Sequence, residues 1–313
     1  KRTVPVSNHF PKKPSQFFEI DPNKDTILVG KEGTLLYISV GALISDKPVE
    51  VELVEYYSLK DYLKSGLQTV SNGRMIETGG TIYLDAREKG TDKKVNVDRS
   101  KGIGVDFTIG KNDPAMKVFV PDPASPDRLN WVLPGGDKKR QKGKWEMTET
   151  LVDHEGNIIS ERVFTSREEW EAHLRKKKAT QRGNADTDLK RAENQQKLSG
   201  KLKIYDLGLI NCDKFINALT ESLTFAADPY RIAEYYLVVE GTRGLLKGIP
   251  TQNFVRFDAA PVGQQATLIA LSFSNEKSYF YKKPITIGSK ERIAIELKEV
   301  AEKFINEQLE LLR

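Results

Sequence analysis

Apolar and polar positions alternate along most of this chain with a period of two, and a helical period appears in only a few places. The runs TILVG (26–30) and TLLYISV (34–40) are short, rich in apolar and β-branched residues, and bounded by Gly, Lys and Asp. That composition predicts strands. In VEVELVEYY (49–57), Val49, Val51 and Leu53 point one way and Glu50 and Glu52 the other, the mark of a strand with one wet face. GTIYLDA (80–86), KVNVD (94–98), IGVDFTI (103–109) and MKVFV (116–120) continue the pattern, with the turn signals SNG (71–73) and GKNDP (110–114) between them. Gly33 opens the 34–40 strand and Gly41 closes it, which lets the chain turn so that Ala42 and Leu43 tuck beneath the sheet. One short helix is expected near Ser58 to Ser65, with Ser58 as its cap and Asp61 in its first turn.

So many short strands predict a sandwich over residues 17–133. Before it, residues 1–16 read as an extended arm, because Pro5, Pro11 and Pro14 disfavour helix. Residues 134–200 change character. A loop (134–144) precedes a hairpin over 145–166, and two charged helices follow, the first opened by a capping box at Ser166–Glu169. Trp170 and Leu174 give that segment only one narrow apolar contact, so it is expected to be a charged surface insertion. Strand patterns return over 201–313: LKIYDLGLI, RIAEYYLVVEG, NFVRF, ATLIALSF, SYFYKKPITI and RIAIEL, with SNEK (274–277) as a hairpin turn. A terminal helix over 298–312 carries Val300, Ala301, Phe304, Ile305, Leu309 and Leu312 on one stripe, expected to pack on its own sheet. The fold expectation is therefore mainly β: two β-sandwich-like domains with a charged helical insertion and a C-terminal helix.

Charge refines this picture. Of the net charge of +5, residues 138–200 contribute +4, from 15 Lys/Arg against 11 Asp/Glu. Basic residues cluster at Lys138, Lys139, Arg140, Lys142 and Lys144, and again at Arg175, Lys176, Lys177 and Lys178. Such clusters can grip phosphate or an acidic polymer. Trp145 is the only neighbouring stacking platform, so nucleic acid ranks low as a partner. No apolar run approaches the roughly 18 residues of a membrane helix. Cys212 is the single cysteine, which excludes an intrachain disulfide and a multi-cysteine zinc site. Lys1, where an initiating Met is absent, fits either a trimmed chain or removal of an export signal.

Four stretches, FEIDPNKDTILVGKEGTLLYISVGAL (18–43), SNGRMIETGGTIYLDA (71–86), LGLINCDKF (207–215) and PVGQQATLIAL (261–271), together resemble exported envelope proteins of Bacteroidota. The first also resembles the opening of a ZU5-type β-sandwich, with Val40 where that pattern carries proline. The resemblance spans about 17–133 and 201–290. It implies export to the periplasm or cell surface, with any lipid anchor upstream of residue 1, and an interaction module. Some ZU5 relatives self-cleave at a His-Phe-Ser site; His9-Phe10-Pro11 lacks the serine, so no self-cleavage is expected.

The search for chemistry yields few candidates. GIGVDF (102–107) opens like a dinucleotide fingerprint, but Phe107 stands where the third glycine belongs and the run lies among strands. His9, His154 and His173 have no partners at metal-ligand spacing and read as solvated. Glu77, before TGG, and Asp85, after TIYL, are candidate ligand-binding carboxylates, although a turn is the commoner role of ETGG. Asn211 and Asp213 in INCDKF are candidate ligand groups too, against the commoner role of fixing a turn. Cys212 reads as a small core residue. No catalytic residue, metal site or cofactor is assigned. The expected function is a non-enzymatic cell-envelope protein acting through protein–protein or protein–glycan contacts. The alternatives are an envelope glycan or peptide hydrolase with a carboxylate pair, and a solute-binding module.

Overall fold

The computed structural model describes residues 5–109, 113–125, 128–134, 147–152, 158–164, 202–274, 276–289 and 291–312. Two compact units divide the chain: 1–134 with 201–313, and 135–200. The first unit is mainly β. Its largest sheet has seven antiparallel strands: Gln16–Ile20, Val49–Tyr56, Arg74–Glu88, Gly208–Phe215, Lys117–Pro121 and Trp131–Val132 in spatial order, with Val70–Ser71 folded against Arg74–Glu88. A four-stranded sheet runs Leu202–Ile204, Ile103–Asp106, Leu35–Ile38, Thr26–Val29. A five-stranded sheet runs Gly244–Lys247, Glu234–Val239, Gln265–Ser274, Lys277–Thr286, Lys298–Val300. A three-stranded sheet joins Thr220–Ala226, Phe254–Pro261 and Ile249–Pro250.

Side-chain alternation stacks these sheets. Val49, Val51 and Leu53 bury one face of the seven-stranded sheet against Leu36, Ile38, Ile103 and Val105 of the four-stranded sheet. Strand Glu234–Val239 is buried from Tyr235 onward because it feeds two cores. Tyr235, Leu237 and Val239 face the three-stranded sheet, where Val255 and Phe257 meet them. Tyr236 and Val238 face the other way, toward Ile76, Phe119 and Trp131 of the seven-stranded sheet. That is why YYLVV is a continuous apolar run rather than an alternating one. Two sandwiches are thus present, as the strand pattern predicts, and a third core between them joins the two.

Three helices border that middle core. Over its described residues, 5–16, the expected extended arm holds a helix: Pro5 leads into helix α1, Val6–His9, as a fixed-φ residue at a helix start should. Val6 and Phe10 are buried, and the Val6 amide donates to Glu234 Oε1 at 2.8 Å. His9 is not solvated either: its ring stacks on Phe273 at 3.6 Å between centroids, with Nε2 3.3 Å from Glu302 Oε2. Helix α2, Leu59–Ser65, has the expected cap. Ser58 Oγ accepts from the Asp61 amide at 3.1 Å, and the Ser58 amide donates back to the Asp61 carboxylate. A cap of this kind contributes about 1 kcal/mol. Helix α3, Glu302–Glu310, starts four residues later than expected, because 298–300 pair as an edge strand. Ile305, Leu309 and Leu312 bury its apolar face against the five-stranded sheet side, while Phe304 stays exposed.

Other departures are local. Residues 202–215, expected in the C-terminal domain, hydrogen-bond into both N-terminal sheets: Leu202–Ile204 pairs with Ile103–Asp106, and Gly208–Phe215 with Arg74–Glu88 and Lys117–Pro121. LKIYDLGLI is two strands, one for each sheet, rather than one. RIAIEL buries Ile293, Ile295 and Leu297 yet forms no ladder beyond an Ala226–Ala294 bridge. SNG is a hairpin turn with Asn72 and Gly73 both at positive φ, 48° and 72°, the conformation a two-residue hairpin loop requires. In the second unit, Met147–Val152 pairs antiparallel with Ile158–Phe164, the expected hairpin. The two charged helices expected after it lie outside the described residues.

Candidate functional site

Asn211 and Asp213 sit in the middle of strand Gly208–Phe215, not in a turn, and both are fully buried. Asn211 Oδ1 accepts from Thr81 Oγ1 at 2.9 Å, Thr78 Oγ1 at 3.1 Å and Tyr62 Oη at 3.2 Å. Its amide nitrogen donates to Asp213 Oδ2 at 2.5 Å. Asp213 Oδ1 has no partner, and burial pushes the carboxyl pKa well above its ordinary value. This is an internal polar knot rather than a surface for ligand. Cys212 points to the other side of the strand, into the first core. Burial, then the Asp213 charge, pushes its thiol up to about 12, so it is no nucleophile at neutral pH.

ETGG is likewise strand interior. Cys212 pairs with Gly80 and Asp213 with Thr78, so Gly79 is an extra residue, a bulge. A Cβ on Gly79 would lie 2.7 Å from the Ile109 carbonyl oxygen, and one on Gly80, at φ +131°, would lie 2.4 Å from the Tyr57 ring. Both glycines are required by close approach.

Glu77 and Asp85 do not come together. They lie on one strand, eight residues apart, which is roughly 25 Å of extended chain. Glu77 instead binds Lys214 Nζ at 3.2 Å, and Asp113 binds the same ammonium at 2.9 Å. Asp85 does face a carboxylate that the sequence reading passed over: in register, Glu52 stands directly opposite it on the neighbouring strand. Cβ atoms so placed are about 5 Å apart. Asp85 Oδ2 accepts from both Arg87 Nε and Nη2 at 3.2 Å, and Glu52 Oε1 accepts from Ser15 Oγ at 2.5 Å. Tyr83 lies beside the pair; burial, then the charges of Asp85 and Glu52, raises its phenol pKa.

Next to Tyr83 and Asp85 opens a cleft of about 540 Å³, closed on its other sides by the 94–99 and 205–208 segments. Pairing of Gly208–Phe215 with Arg74–Glu88 carries Tyr205 to this place. The Tyr205 ring lies along Gly102, where a Cβ would come within 2.8 Å of it, and the residue remains 39% exposed. Arg99 Nη2 donates to Asp206 Oδ1 at 2.5 Å. The hydroxyls of Tyr83 and Tyr205, the Asn96 amide and the Lys94 ammonium bond to no other described residue. Tyr83, Tyr205, Asn96 and Arg99 escaped the sequence reading because Tyr205 arrives by the long-range Gly208–Leu84 pairing and Asn96 and Arg99 by the return of the chain at the Arg87–Lys94 bridge, neither of which alternation alone reveals.

A second surface is apolar: Tyr230 and Ile232, 87% and 69% exposed, border a hollow of about 310 Å³ with Pro250. The basic clusters at 138–144 and 175–178, with His154 and His173, lie outside the described residues. Among the described residues, no three His, Cys, Asp or Glu side chains gather as a metal site, and no helix is long and apolar enough to cross a membrane. Comparison of the chain with protein-family models, with curated proteins and with solved structures gives no match.

Proposed function

We propose that the protein is a non-enzymatic contact protein of the cell envelope, acting at the periplasmic or outer surface through protein or glycan ligands. One observation carries the binding part of this reading. The cleft beside Tyr83 is already formed, and while Asp85 and Arg99 on its walls are engaged by Arg87 and Asp206, the hydroxyls of Tyr83 and Tyr205, the Asn96 side-chain amide and the Lys94 ammonium bond to no other described residue. Preformed clefts of 300–1,000 Å³ with a few convergent polar groups are the usual shape of a ligand site. The envelope part rests on the four stretches that resemble exported Bacteroidota proteins. The test is retention of envelope components by the immobilised full chain. Wild type is expected to retain a component that Tyr205→Ala and Asn96→Ala both release. Equal retention by all three proteins removes the cleft from the reading.

A second reading has a specific observation in its favour. Glu52 and Asp85 stand directly opposite each other on neighbouring strands, and hydrolases of glycans use pairs of carboxylates. Against it, Asp85 is already engaged by Arg87 and Glu52 by Ser15. Release of reducing ends from envelope glycan, lost in both Glu52→Gln and Asp85→Asn, would establish this reading in place of the first.

A further inference from the structure

We infer that the cleft between Tyr83 and Tyr205 binds a neutral oligosaccharide. The inference rests on the contact reading above and narrows its ligand.

Charge is the first argument. Of the residues lining the cleft, Asp85 and Asp206 are acidic and Lys94 and Arg99 are basic. The two signs cancel, and Arg99 is tied directly to Asp206. A site for phosphate or a polyanion concentrates one sign of charge; this one does not. Its charged groups act instead as fixed hydrogen-bonding planes. The Asp85 carboxylate offers acceptors, the Arg99 guanidinium donors, and the free Asn96 amide offers both. Adjacent hydroxyls on a sugar ring need this mixture, since each hydroxyl both donates and accepts.

Shape is the second argument. A sugar ring presents C–H bonds on its faces and hydroxyls around its rim. Tyr83 and Tyr205 supply apolar ring surface with a polar tip, at low conformational cost. Tyr205 already lies against Gly102, whose φ of +66° and missing side chain let the ring approach. A side chain packed before binding needs less ordering on association. The neighbouring Gly208, at φ +121°, has nothing within 4 Å of where a Cβ would sit. The cleft rim is therefore kept low at that point, leaving room for a chain of sugars to pass.

The experiment is calorimetric titration of the full chain with defined hexasaccharides. The neutral probes are β-1,4-glucan, β-1,3-glucan, α-1,4-glucan, α-1,6-mannan and chitin hexamers; the anionic comparators are oligogalacturonate and heparin hexamers. At least one neutral hexamer is expected to bind with a dissociation constant on the order of 0.1–1 mM. Tyr205→Ala should weaken it about tenfold, Tyr205→Phe less than about threefold, and Asn96→Ala several-fold. Affinity should be unchanged when salt is raised from about 0.05 to 0.5 M, since no net charge is matched. The Asn96 side chain is exposed and bonds to no described neighbour, so its variant keeps the test sharp if Tyr205→Ala fails to fold. The inference falls if no neutral hexamer binds at millimolar concentration, if binding ignores both substitutions, or if an anionic hexamer binds more tightly and is released by salt. Should Tyr205-dependent retention of a protein persist after such a failure, the contact reading stands and only the ligand class is wrong.

Discussion

The core between the five-stranded and three-stranded sheets is mostly apolar, built from Tyr235, Leu237, Val239, Phe257, Leu268 and their neighbours, with Asp228 buried at its edge where it accepts from the Leu297 amide at 2.9 Å. The seven-stranded sheet is different. Its central strands bury Glu55, Thr78, Thr81, Asn211 and Asp213. Both regions are sandwiches made of alternating strands, so the difference does not come from the fold class. It comes from where hydrogen-bond partners are supplied. On one face of these strands Asn211 gathers Thr78, Thr81 and Tyr62 into a hydrogen-bonded set. Glu55 folds over Gly30 onto the amides of Glu32 and Thr34. The face with Cys212 and Tyr57 is otherwise apolar, so the buried polar residues sit where partners are supplied.

The comparison predicts its largest effect in the mostly apolar core. Phe257→Ala should destabilise the chain by about 3–5 kcal/mol, the usual loss for a buried ring with little room to relax around it. Urea denaturation checks the size. It also checks whether the regions are coupled. Ile76 and Trp131 of one region and Tyr236 and Ile269 of the other share the middle core, so unfolding should remain a single transition followed equally by tryptophan fluorescence and circular dichroism. Two separated transitions would mean that the middle core does not join the regions.

A smaller effect is expected at Glu55. Its carboxylate lies over Gly30, where a Cβ would be 2.5 Å from the carboxyl carbon. It accepts from the amides of Glu32 at 2.9 Å and Thr34 at 3.0 Å and from Gln16 Nε2 at 2.8 Å. Burial raises its pKa, but the hydrogen bonds from Thr34, Glu32 and Gln16 outweigh burial and hold it below the ordinary 4.5. Such a group contributes stability above pH 4.5 and loses it as pH falls through the lowered folded value. Glu55→Gln should therefore cost about 2–3 kcal/mol at pH 7, and the gap from wild type should narrow as the pH falls below 4. A gap independent of pH would show that the carboxylate charge plays no part.

Much of this architecture can be read in the residues, and the limits are physical. Alternation in VEVELVEYY locates Val49, Val51 and Leu53 correctly, because a one-sided strand writes its burial as a period of two. The same pattern puts Glu50 and Glu52 outside. It is silent on Glu55, whose burial follows from the amides of a turn about twenty residues away. YYLVV is legible as a strand but not as one shared by two cores. INCDKF stands out in the sequence because polar residues rarely occupy a central strand, yet the same letters suit a turn, and only the register with Thr78 and Thr81 decides. The cleft was the least legible feature. Asp85 is marked by its glycine neighbours, whereas Tyr205 becomes a neighbour of Tyr83 only through a pairing that spans more than a hundred residues, and Arg99 through a turn back along the strand at Arg87–Lys94 that the alternation does not show.

The mildest substitution, Asp213→Asn, separates two kinds of buried carboxylate in the same sheet. Glu55 has three N–H donors; Asp213 has one, from Asn211, and leaves Oδ1 bare. Burial then dominates and raises the Asp213 pKa far above its ordinary 3.8. The folded protein keeps this proton where the unfolded chain has lost it. Wild-type stability is therefore penalised progressively as pH rises above 3.8, up to the raised folded value. Asparagine has the shape of the protonated acid and cannot lose that proton. At pH 4 the substitution should change stability by less than about 1 kcal/mol, and with rising pH the variant should gain on wild type. Parallel melting curves from pH 4 to 8 would measure this. Profiles that run parallel, or a variant that falls behind as pH rises, would mean that Asp213 is ionised in the folded sheet and that its second oxygen has a donor after all.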